Sequence, residues 1–169
     1  MIVVIGRLAR GYAAPIARRV AQRGATVELV VTASPDAAGD RALAELASAG
    51  VGHAAVLRSA APTLEPPEVE LALRYLPDVR VVVLADPQAD LEVAAADAAA
   101  WSGAALVALG DGEGSSAAIR LGAPATDPDG AFAGVVADLA TRLDGGEAAE
   151  SAWRSTAAAL GLERVSPRR

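Results

Sequence analysis

Between Thr126 and Gly134 the chain reads T-D-P-D-G-A-F-A-G, which sets two carboxylates, a proline and two glycines just ahead of an apolar helical run. Backbone N–H groups at the start of a helix hold anionic oxygens, and a carboxylate beside them can take a proton from a hydroxyl. Those are the working parts of phosphoryl transfer. Pro128 removes one N–H from the turn, and Asp127 and Asp129 put negative charge where a phosphate would sit. Two like unit charges ~4 Å apart repel by roughly 1 kcal/mol in water and about 4 kcal/mol at an effective dielectric of 20. The helix terminus contributes only ~0.3–1 kcal/mol in the other direction. The sequence offers no lysine and no obvious arginine clamp to help. A magnesium ion bridging carboxylate and phosphate would reverse the balance. The plainer reading makes Asp127 a helix cap, Pro128 the first helical residue and Asp129 a charge complementing the helix dipole.

A second set of residues falls at the ends of apolar runs. Asp86 follows Val81–Ala85, at the carboxyl end of a central strand, where open α/β sheets bind ligands; Asp86-Pro87 is equally a turn and helix-cap signal. Gly6 and Gly11 follow the first apolar run. They are separated by four residues, so the G-x-G-x-x-G dinucleotide fingerprint is not met. Glu28 lies at the distance of a ribose partner but inside the second strand, and the glycines read as a tight strand-to-helix connection. Asp36 and Asp40 either line the same edge or cap and solvate a first helical turn. His53, the single histidine, has no sequence neighbour with which to make a triad or metal site. Asp111 and Glu113, in G-D-G-E-G, lack EF-hand spacing and read as loop. Trp101 and Trp153 read as core or interface anchors.

Short β-branched runs alternating with helical patterns must position these groups, a signature of βαβ units and a mostly parallel sheet. Strands are expected at Ile2–Ile5, Val27–Val31, Ala54–Leu57, Val79–Ala85, Ala105–Leu109 and Ala118–Leu121. Helices are expected at Ala13–Arg23, from a Ser34 cap with Pro35 at the first position to Gly50, from Pro66-Pro67 through Leu76, around Leu91–Trp101, and at about 130–143 and 147–160. In the second helix Leu43, Leu46 and Ala47 should face inward. Gly145-Gly146 hinges the last two.

At 169 residues, 53% of them hydrophobic, the chain suits one well-packed domain over 1–165, with a basic tail at 166–169. A net charge of −6 argues against a nucleic-acid surface. All 15 basic residues are arginine, which excludes a P-loop lysine and a Schiff base. The absence of cysteine excludes disulfides and thiolate metal sites. No apolar run is long enough for a membrane span, and the N-terminal run is too short for a signal peptide. A cytoplasmic protein is expected.

The turn at 126–134 resembles the D-T-x-G-A-G-D-A-F-x-G phosphate turn of PfkB/ribokinase carbohydrate kinases, with Ala131, Phe132 and Gly134 in register. The catalytic aspartate of that pattern falls on Gly130, and its anion-hole glycines on Pro128 and Asp129 or one residue away. Ser34–Val51 is similar to the G-D-D-x-x-G-D-x-x-L-x-x-L-x-x-x-G-V block of the family, with Asp36, Gly39 and Asp40 in register. Gly11–Thr32, Val69–Leu109 and Asp127–Leu160 resemble further family segments. Where the family inserts a β-lid, only Arg7–Arg10 stand. Its sugar-site asparagine falls on Pro15, and no early aspartate follows Gly6.

The resemblance implies a three-layer α/β/α fold without the lid. It makes Asp127, Gly130 and Gly134 the nucleotide-side residues, Gly6, Gly11, Asp36 and Asp86 the substrate side, and Asp129 a displaced base. The expected protein is a degenerate relative without phosphotransfer, binding a small ligand or assembling as a homo-oligomer. It would bind no metal, nucleic acid or membrane. Two alternatives remain open. One is a sugar or nucleoside kinase using ATP, magnesium and Asp129; the other is a Rossmann-type dinucleotide binder.

Overall fold

Ile2-Val3-Val4-Ile5 is fully buried and sits in the middle of the sheet as β1 (Ile2–Arg7). A strand that is apolar on both faces needs cover on both, which parallel sheets obtain from their crossover helices. The computed structural model of the chain describes residues 1–8, 11–61, 63–86, 88–110 and 119–159. After β1 come α1 (Ala13–Gln22), β2 (Val27–Ala33), α2 (Ala37–Ser48), β3 (Gly52–Arg58), α3 (Pro66–Tyr75) and β4 (Val81–Leu84). They are followed by α4 (Ala89–Ser102), β5 (Ala105–Leu109), β6 (Ile119–Leu121), α5 (Ala131–Asp144) and α6 (Ala149–Ala159). The loop read at Asp111–Ser116 and the tail at Ser166–Arg169 lie outside the described residues.

The strands pair in the order β3-β2-β1-β4-β5-β6, every pair parallel. The chain therefore steps outward from β1 to β3, then returns to the far side of β1 as β4. That reversal opens a crevice between the carboxyl ends of β1 and β4. On one face, Val4, Leu29 and Val31 pack against Ile16 and Val20 of α1 and Val136 and Leu139 of α5. On the other, Val3, Ile5 and Val82 pack against Val69 and Leu73 of α3 and Leu91 of α4. The result is the expected three-layer α/β/α sandwich, its described strands all parallel. With β1 ending at Arg7 and α1 starting at Ala13, the connection between them has no length for a lid.

Several boundaries differ from the sequence reading. α2 is capped by Asp36, whose Oδ1 accepts from the amides of Ala38 (3.0 Å) and Gly39 (2.9 Å), and not by Ser34 with Pro35 inside the helix. Ser34 instead crosses the first turn so closely that a Cβ on Gly39 would lie 2.0 Å from its carbonyl oxygen. Leu46 is buried and Leu43 half-buried, but Ala47 is exposed. β4 is shorter than Val79–Ala85. Trp101 is 80% exposed and lies outside the core of the described residues. α4 carries alanine on nearly every side, so Leu91, Ala94, Ala95 and Ala99 set the buried face and leave Trp101 outside it. Trp153, in contrast, packs against the core.

Candidate site at the carboxyl edge of the sheet

Gly6 ends the buried part of β1, and Asp86 follows β4 at the neighbouring position across the crevice. The Asp86 carboxylate accepts from the Arg7 backbone N–H (2.8 Å, Oδ2) and from the Arg7 guanidinium (3.1 Å, Oδ1). A Cβ at either Gly6 or Gly11 would fall 2.9 Å from the same carboxylate, and Gly11 holds φ at +116°. Both glycines are thus required by the close approach of Asp86. Gly6, Gly11 and Asp86, which the sequence named separately, meet at one point. Their shared task is to pin the start of the β1–α1 connection to β4 and to hold Arg7 at the rim.

Beside Arg7 lies a cavity of about 520 Å³ at the ends of β1, β2 and β3. Its lining is mainly apolar, with Thr32, Ser34, Asp36 and Ser59 supplying polar atoms next to the Arg7 guanidinium. A volume in the ~300–1,000 Å³ range with a few polar groups on apolar walls is typical of small-molecule sites. The Asp36 carboxyl is held below the usual carboxylate range by the Gly39 amide first, then by the Ser34 side chain. It faces the cavity as an anion already engaged by its own helix. Asp40 stands off to the side, ion-paired with Arg58. His53 is exposed on β3.

The turn before α5 forms a third group. Gly130 is the N-cap, in the left-handed region at φ +65°, and α5 begins at Ala131, so Pro128 and Asp129 precede the helix and do not open it. Asp127 does cap, from further back: Oδ1 accepts from the Phe132 amide (3.0 Å) and Oδ2 from the Ala133 amide (2.9 Å). Burial pushes the Asp127 carboxyl up, but the amides of Ala133, Phe132 and Ala131, with Arg19 nearby, outweigh it and hold the group below its ordinary range. Asp129 is exposed. Gly134 is buried one turn into the helix, with the Arg19 side chain 3.8 Å from the place a Cβ would take.

Sequence reasoning missed Arg19 and Tyr12. Arg19 Nη2 donates to the Asp129 carbonyl (2.9 Å) and packs on Gly130, where a Cβ would meet that nitrogen at 2.5 Å. An arginine does therefore serve the turn, delivered from α1, more than a hundred residues earlier. The Tyr12 hydroxyl donates to the Pro124 carbonyl (2.6 Å), and its ring stands edge-on to Phe132 at 5.1 Å. Burial, then the Asp127 carboxylate, raises the Tyr12 hydroxyl above its usual value. Arg7 was readable, because it follows Gly6 directly at the end of the first strand. Arg19 was not, because its contact depends on how α1 and α5 cross.

No family model and no curated protein matches the sequence. Solved structures do share its fold. A protein named Sa239 superposes with a TM-score of 0.68 at 11% identity, covering 99% of this chain and 95% of its own. Adenosine kinase from Sinorhizobium meliloti gives a TM-score of 0.62 at 14% identity, covering 95% of this chain and 79% of the kinase. For 2-dehydro-3-deoxygluconokinase from Thermotoga maritima the TM-score is 0.52 at 16% identity, and the match takes in 66% of this chain and 51% of that enzyme. The chain thus spans about half the length of the gluconokinase. Its fold is ribokinase-like, the α/β architecture of the PfkB sugar and nucleoside kinases.

Among the described residues no helix is long and apolar enough to cross a membrane. The strand order is also that of doubly wound dinucleotide-binding sheets. Glu28, however, donates nothing to such a site: its carboxylate accepts the Ala54 amide at the amino end of β3.

Proposed function

We propose that this ribokinase-like domain binds a small ligand at the carboxyl edge of its sheet and does not transfer phosphate. One observation carries the second half of that reading: the Asp127 carboxylate accepts the first free amides of α5. In a kinase of this fold those amides would have to be open to the transferring phosphate. Here an internal anion already satisfies them, Gly130 offers no carboxylate as a base, and Pro128 offers no N–H. ATP and magnesium therefore do not fit the residues present. The cavity beside Arg7 supports the first half. Its apolar walls and hydroxyls, with the Asp36 carboxylate and an Arg7 guanidinium already paired with Asp86, suit a compact organic molecule that combines an apolar face with hydrogen-bonding groups.

The test is direct. Purified protein is incubated with Mg-ATP and a panel of sugars and nucleosides, and ADP release and melting temperature are followed. The expected result is release at the blank rate and no change in melting with Mg-ATP. Sugar- or nucleoside-dependent release would overturn the proposal and favour Asp129 as a working base.

A further inference from the structure

The two edges of the sheet are unlike. β6 is three residues long, and a short edge strand resists the addition of another strand. β3 is seven residues long and, among the described strands, is bonded on one side only, to β2. Its sequence, G-H-A-A-V-L-R, contains no proline, lysine or acidic residue, and its single charge stands at the end. The pairing with β2 slips between Glu28 and Val30, then runs regularly from Ala55 to Arg58. The bulge that could turn this edge aside thus affects only its amino end. Alongside the strand, α3 exposes two large apolar side chains, Leu71 (54%) and Tyr75 (78%). They overhang a groove of about 350 Å³ floored by Ala55 and Leu57.

We propose that two copies of this chain associate through β3, paired antiparallel about a two-fold axis, into one continuous sheet. A contact of that symmetry requires a surface complementary to itself. Unpaired N–H and C=O groups along one β3 meet their counterparts along the other, as in strand addition generally. From His53 to Leu57 the strand has no Asp, Glu, Lys or Arg, so like charges are not brought face to face. Antiparallel pairing carries Arg58 of one copy toward the Gly52 end of the other. There the Glu28 carboxylate lies beside Gly52, so at both ends of the contact the Arg58 guanidinium, which also holds Asp40 of its own chain, meets a carboxylate of the other copy. An axis perpendicular to the sheet keeps the two α3 helices on the same face. Leu71 and Tyr75 of each copy then cover those of the other.

Sedimentation velocity on the intact chain at tens of micromolar tests the proposal. Two variants accompany it, both at exposed positions so that folding is preserved: the pair Leu71→Glu with Tyr75→Glu on the helix, and His53→Lys with Ala54→Lys on the strand. The wild type should sediment at twice the monomer mass. Each variant should raise the dissociation constant at least about tenfold, as loss of central anchors does, with an unchanged far-UV circular dichroism spectrum. Hydrogen exchange should slow at Ala55–Arg58 as concentration rises. A monomeric wild type overturns the proposal. So does a dimer that survives either variant, since the contact would then lie elsewhere or not involve the strand.

Discussion

Replacing Asp127 by alanine tests the reading of the α5 turn most sharply. The substitution removes the acceptor for two amides at 2.9 and 3.0 Å and leaves the first turn of α5 with water as its partner. Loss of a carboxylate cap costs about 0.5–2 kcal/mol. For a chain of this length each kcal/mol lowers the melting temperature by ~2–4 °C, so a fall of roughly 1–8 °C is expected. The pH dependence supplies an independent check. The Asp127 carboxyl is held below its ordinary value in the folded protein, so in acid the unfolded chain binds its proton first. The contribution is complete above the unfolded carboxyl value and drains away as pH falls through the folded one. Urea denaturation at neutral pH and across the acid range should therefore show wild type and variant converging as pH drops. Asp127→Asn, which keeps an acceptor but no charge, should fall between them. Equal stability of wild type and Asp127→Ala at neutral pH, or a constant difference across the acid range, would refute the idea that this carboxylate occupies the amides.

Two further substitutions separate backbone constraint from surface charge. Gly39→Ala places a methyl 2.0 Å from the Ser34 carbonyl, which is backbone and cannot step aside; a loss of about 1–3 kcal/mol by urea denaturation is expected. Asp86→Ala removes a side chain only 13% exposed and strips the acceptor from the Arg7 amide, which should cost ~1–3 kcal/mol. Arg7→Ala removes only a half-exposed guanidinium and should cost under about 1 kcal/mol. Equal losses from those last two would show that the ion pair, and not the amide, is what Asp86 serves.

The layer order was legible because its signals are local and repeated. Ile2–Ile5 and Ala105–Leu109 are apolar throughout and each is followed directly by glycine, and both lie in strands as expected. Pro66-Pro67 opens α3 as its fixed φ requires. Competing signals were harder to order: Ser34, Pro35 and Asp36 each start helices, and only the contact between Gly39 and Ser34 decides for Asp36. Where the pattern is flat, as along the alanines of α4, the sequence does not say which side faces in, and of the two readings of Trp101 the core one fails for that reason. The site divides in the same way. Gly6, Asp36, Asp86 and Asp127 could be named from strand ends and cap positions. Their partners Arg19 and Tyr12 act across distances that only the packed helices set.

Arg23 extends the tie between α1 and α5, donating to the Gly134 carbonyl (3.2 Å) one turn below the place where Arg19 holds the Asp129 carbonyl. With Asp127 closing the top, three separate fasteners secure the same few ångströms of one helix. Substitutions at these positions will not behave as independent entries in a sum. Cutting one leaves two to hold the seam, so each single change understates what the set accomplishes, and only multiple-mutant cycles will reveal the cooperativity of the joint.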